Sequence, residues 1–110
     1  MSISQGVIGS YPGFFPLSVS ASKRQRLGLS TNTMAIEPYM GSATHSAPYR
    51  AGVRGSDIVT AVNGINTNLT GRPFLVWFRQ RYDAGDRVTL SLHSQGKNKE
   101  VTYQLSEGDH

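Results

Sequence analysis

The chain has 110 residues, 37% of them apolar, no cysteine and a formal net charge of +4. That length suits one domain with one small core, and the missing thiols exclude a disulfide framework, a cysteine nucleophile and a cysteine metal site. The apolar runs are too short to span a bilayer, so no membrane insertion is expected.

A positive charge is compatible with nucleic acid, anionic membrane or acidic peptides as partners. Here the basic residues cluster only at Lys23, Arg24 and Arg26 and at Arg79 and Arg81, so a nucleic-acid partner is not expected. No basic stretch followed by an apolar one opens the sequence, and no signal peptide is read there. A domain this small is expected to be part of a longer parent.

Residues 1–16 are rich in Ser, Gly and aromatics. Pro12 and Pro16 bracket Gly13-Phe14-Phe15, a pattern of turn and extended chain. Val7, Ile8, Phe14 and Phe15 give this stretch something to pack with, either as an extra strand or as a linker. Residues 17–20 (LSVS) alternate as a strand. Residues 21–26 read as a basic loop, residues 27–31 (LGLST) as a strand, and residues 34–39 (MAIEPY) as another, with Pro38 at an edge or exit position.

Residues 41–46 are small and polar, a loop. Pro48 favours a helix start and Gly52 a helix stop around residues 47–51. The near-continuous apolar run 58–62 (IVTAV) predicts a buried central strand, and Asn63-Gly64 a tight turn, with a brief return over 65–67. Thr70 suits a helix cap, and Pro73 is harmless in a first turn. Phe74, Phe78 and Tyr82 then recur at helical spacing, and Gly85 follows as a stop. Val88, Leu90 and Leu92 alternate with polar residues, as do Val101, Tyr103 and Leu105. The turn over 95–98 between them makes an antiparallel hairpin.

Three segments carry a family resemblance. Ala51-Gly52-Val53 through Asp57-Ile58-Val59 to Ala61-Val62-Asn63-Gly64 resembles the A-G-L-x-x-G-D-x-I-x-x-V-N-G core of bacterial PDZ domains. Gly85-Asp86-Arg87-Val88-Thr89-Leu90 resembles the G-D-x-V-x-L that follows their second helix. Arg26-Leu27-Gly28-Leu29 resembles their carboxylate-binding loop. One departure is Ser56, which stands where the family has the Gly before the Asp; Gly55 lies one place earlier.

The resemblance implies an α+β, mostly β fold: a PDZ-like, partly open antiparallel sandwich or barrel of five or six strands capped by two helices. It covers residues 17–105, with 1–16 as an extension or linker and 106–110 as a tail. It further implies a peptide-binding module that captures an extended peptide, a C-terminus with an apolar last residue, by adding it as a strand. The receiving strand would be residues 29–33 and the opposing helix residues 74–82. The binding residues implied are Arg26, Leu27, Gly28, Leu29, Ser30 and Thr31 on the loop and strand, with Phe74, Phe78 and Tyr82 on the helix. The aromatic stripe reads equally well as core.

No catalysis of its own is expected, and no cofactor. His45, His93 and His110 have no second ligand at metal spacing, and Asp57 and Asp86 suit turns. Besides the peptide, the expected partners are other domains of the parent, with an envelope or periplasmic setting by analogy. The alternative is a structural or regulatory module whose groove is filled by residues 1–16, with Phe14 and Phe15 in the pocket.

Overall fold

The computed structural model describes residues 10–41, 46–94 and 96–107. Its elements, in chain order, are β1 (Ser10–Tyr11), β2 (Phe15–Ser18), α1 (Ala21–Leu27), β3 (Ile36–Tyr39), α2 (Ala47–Ala51), β4 (Ile58–Val62), α3 (Gly71–Arg81), β5 (Arg87–Ser94), β6 (Lys97–Gln104) and β7 (Ser106–Glu107). Five antiparallel strands form an open sheet in the order β2-β3-β4-β5-β6, and β1 and β7 pair separately. This mostly β arrangement with flanking helices is the fold class expected, consistent with a PDZ-like fold.

Local chemistry sets most of these elements. Asn63 turns at φ 50, and its side-chain oxygen accepts from Thr89 N–H at 2.8 Å while its own N–H donates to Thr89 O at 2.8 Å. The Asn-Gly turn thereby ties the end of β4 to β5. Ile65 contributes a single bridge to Val62 rather than a return strand. Apolar alternation in β5 gives the inward side chains Val88, Leu90 and Leu92, and β6 pairs with β5 along its whole length. Thr70 is the residue before α3, but its side chain makes no capping hydrogen bond.

Two clusters divide the core. The larger holds Phe14, Met34, Ile36, Phe74, Phe78 and the inward residues of β4 and β5; Leu75, Trp77 and Tyr82 pack on its rim. The smaller holds Val19, Ala35 and Ile58, with Leu27 and Leu29 against it. Asp57 is buried in the turn before β4. Its carboxylate accepts Arg54 N–H at 3.0 Å, and Lys99 Nζ stands 3.5 Å away, so the turn closes with Ser56 in place of glycine.

Further expectations change towards the N-terminus. Residues 21–27 are helix, not loop, and residues 27–31 are not a strand. Ser20 Oγ caps the helix by accepting Lys23 N–H at 3.2 Å, the signal that basic composition concealed. The fold also takes in residues 10–16, expected as an extension: Phe14 is fully buried, and β1 pairs with β7.

Candidate functional site

β2 is the terminal strand of the sheet, so one edge is paired to β3 and the other is paired to no described residue. The paired edge has the register Phe15↔Tyr39, Pro16↔Pro38, Leu17↔Glu37 and Ser18↔Ile36. Neither proline has an N–H, so Pro16↔Pro38 cannot be a hydrogen-bonded pair. Phe15 and Leu17 therefore direct their backbone groups at β3, and Pro16 and Ser18 direct theirs outward, to the free edge. Side chains alternate in the other sense. Phe14 and Pro16 are buried, whereas Phe15 and Leu17 are exposed beside Tyr39 on the outer face.

α3 packs alongside both β1 and β2, with Phe14 joining the two walls. Its ring stacks on Phe74 at 6.5 Å and 27°, and Phe74 in turn meets Phe78 at 5.8 Å. Edge strand β2, helix α3 and the loop between β1 and β2, residues 12–14, thus adjoin one another.

That loop is held firmly. Gly13 has φ +91, and a Cβ there would lie 2.5 Å from Pro48 Cδ, so no other residue fits without displacing α2. Tyr103 donates its buried hydroxyl to Pro12 O at 2.6 Å. Burial pushes the Tyr103 pKa well above the usual tyrosine range, keeping the hydroxyl a donor. Burial also raises the Tyr11 pKa, opposed by the nearby Arg79 guanidinium, which places the Arg79 side of α3 against β1. Leu75, one turn earlier and half-buried, shares that side. No described residue accepts a hydrogen bond from Gly13 N–H or Phe14 N–H.

Of the residues expected to hold a peptide, some lie around the end of α1 and others serve the core. Gly28, at φ 74, ends α1. Its N–H donates to Gln25 O at 3.1 Å, and Leu29 N–H donates to Arg24 O at 2.8 Å, so both amides are used by the helix end. Arg24 bonds Ser30 O at 2.6 Å and Thr33 O at 2.8 Å, fixing residues 30–33 as turns. Leu27 and Leu29 are packed on the small cluster. Arg26, Ser30 and Thr31 are exposed beside them, and α1 does not pack on α3. Phe74 and Phe78 are 0% exposed and form core; the Tyr82 ring meets Phe78 tilted at 5.0 Å and Trp77 edge-on at 6.0 Å.

The sequence reading singled out α3 and residues 26–31, and the structure sets residues 11–18, not residues 26–31, beside α3. The residues of this edge that it did not single out are Tyr11, Pro12, Gly13, Phe14, Pro16 and Ser18. Their signal was present: a glycine between apolar residues, followed at once by an alternating segment. Phe14 does fill apolar space beside α3, yet as part of the wall, and residues 1–9 lie outside the described residues. Among the described residues no group of three or more His, Asp and Glu side chains could hold a metal, and no helix is long and apolar enough to cross a membrane.

No family model and no curated protein sequence matches the chain. Solved structures do. A variant of the HtrA-type protease AlgW with a decapeptide aligns over 92% of this chain and 30% of its own, with TM-score 0.76 and 15% identity. AlgW with a tripeptide aligns over 94% and 33%, with TM-score 0.73 and 15% identity. A photosystem II D1 C-terminal processing protease aligns over 92% and 24%, with TM-score 0.65 and 15% identity. The chain spans a third or less of the length of these proteins, and at such identity the likeness is one of fold.

Proposed function

We propose that the chain is a peptide-binding module with no catalysis of its own. An extended segment lies antiparallel to β2 in the groove beside α3, with its C-terminal carboxylate on the N–H groups of Gly13 and Phe14. Its last side chain, apolar, rests on Leu75 and the Phe14–Phe74 wall, and Arg79 adds positive charge at the carboxylate end. In a longer parent such a module recruits partner or substrate proteins.

The observation that carries this reading is the β2 edge beside α3, which no described residue pairs, continuing from a constrained loop with two amides that no described residue accepts. The bound peptides of the AlgW structures support a peptide as the ligand class. Free-acid peptides titrated beside their C-terminal amides test it. Binding of the acids alone, lost on Gly13→Ala, is expected. Equal binding of both forms would mean capture of internal segments, and no binding of either would reject the reading.

A further inference from the structure

Resting on that strand-addition reading, one feature of the edge specifies how a peptide is read. The groups facing outward from β2 and the residue before it alternate through Phe14, Pro16 and Ser18, because the Pro16↔Pro38 register turns the backbone of Pro16 away from the sheet. At Phe14 and Ser18 the edge offers both a donor and an acceptor. At Pro16, the middle of the site, it offers a carbonyl alone, since proline has no N–H.

We propose that Pro16 makes recognition one-sided at the centre of the groove. The ligand residue facing it donates its N–H to Pro16 O, while that residue's own carbonyl finds no donor on the protein. With the terminal carboxylate on Gly13 and Phe14 and the last ligand N–H on Phe14 O, this residue is third from the ligand's end. The protein therefore requires an N–H there, excluding proline and N-alkylated residues, and is indifferent to the strength of the carbonyl. The ligand class follows: extended free C-termini with any non-proline residue third from the end, the following peptide bond being replaceable by an ester.

Three forms of one bound peptide test the proposal, with affinities measured by fluorescence anisotropy. One is unmodified, one is N-methylated at the third-from-last residue, and one carries an ester in place of the next amide. The ester weakens the carbonyl as an acceptor and removes only an N–H that points away from β2. N-methylation is expected to lower affinity about tenfold or more, because it adds a clash to a lost hydrogen bond, and the ester to change it less than about twofold. In Pro16→Ala, which restores the donor, the unmodified peptide should bind roughly three- to tenfold tighter, and the ester should now lose a similar factor. An ester penalty already present in the wild-type protein and equal to that in Pro16→Ala would overturn the one-sided edge alone. Indifference to N-methylation would overturn strand addition itself, and the proposal with it. If Pro16→Ala does not fold, the wild-type contrast between the ester and the N-methyl peptide decides.

Discussion

Two short segments of this chain look alike as letters and behave as opposites. Pro12-Gly13-Phe14 and Leu27-Gly28-Leu29 each place a left-handed glycine beside apolar residues, at φ +91 and +74. Around Gly28 the backbone amides are used by the end of α1, and open space surrounds the position where a Cβ would stand. Around Gly13 the amides have no described acceptor, while Pro48 closes off the side-chain position. A helix end satisfies its own backbone, and a loop leading into an edge strand leaves donors for a ligand. Glycine-apolar spelling identifies neither.

Substitutions break this comparison in order of expected size. Phe14→Ala should cost about 3–5 kcal/mol in a denaturant titration, as a fully buried aromatic, whereas Leu29→Ala, at a half-buried position, should cost well under half as much. Gly13→Ala follows. Left-handed backbone and the Pro48 contact together should cost about 2–4 kcal/mol and eliminate peptide binding. Gly28→Ala should cost about 1–2 kcal/mol and leave affinity unchanged. A drop in affinity from Gly28→Ala with Gly13→Ala silent would return the site to α1.

Tyr103→Phe removes the hydroxyl that holds Pro12 O and should cost about 1–3 kcal/mol, with weaker peptide binding as the loop loosens. The same substitution sharpens a pH argument. The folded-state pKa of Tyr103 is raised, so its stabilising contribution is complete below the unfolded value near 10 and is lost as pH rises above it. The wild-type protein should lose stability more steeply than Tyr103→Phe above pH about 10, as read from urea midpoints across alkaline buffers. Smallest is Arg79→Gln. At an exposed guanidinium, it should weaken free-acid peptides a few-fold at low salt and hardly at all at high salt.

How much of this was legible depends on the range of the interaction that decides each element. Asn63-Gly64, the 58–62 run, the α3 aromatic stripe and the β5–β6 alternation are local signals. Each survives in the fold because a turn conformation or a side-chain period is written into adjacent residues. The helix over α1 was also local, through Ser20 and Gly28, but its basic composition masked it. The site was less legible, because a strand becomes an edge only by what fails to pair with it.

The sequence alone thus determined the class of the fold, its central strand, its hairpin and its aromatic helix α3, since hydrophobic period and turn chemistry act over a few residues. Tertiary structure decided that Phe14 joins Phe74, that Pro48 confines Gly13, that Tyr103 reaches across 91 positions to Pro12, and that Pro16 faces Pro38. Those contacts arise between distant segments, and they set residues 11–18, rather than residues 26–31, at the sheet edge beside α3 where we propose that a peptide is received.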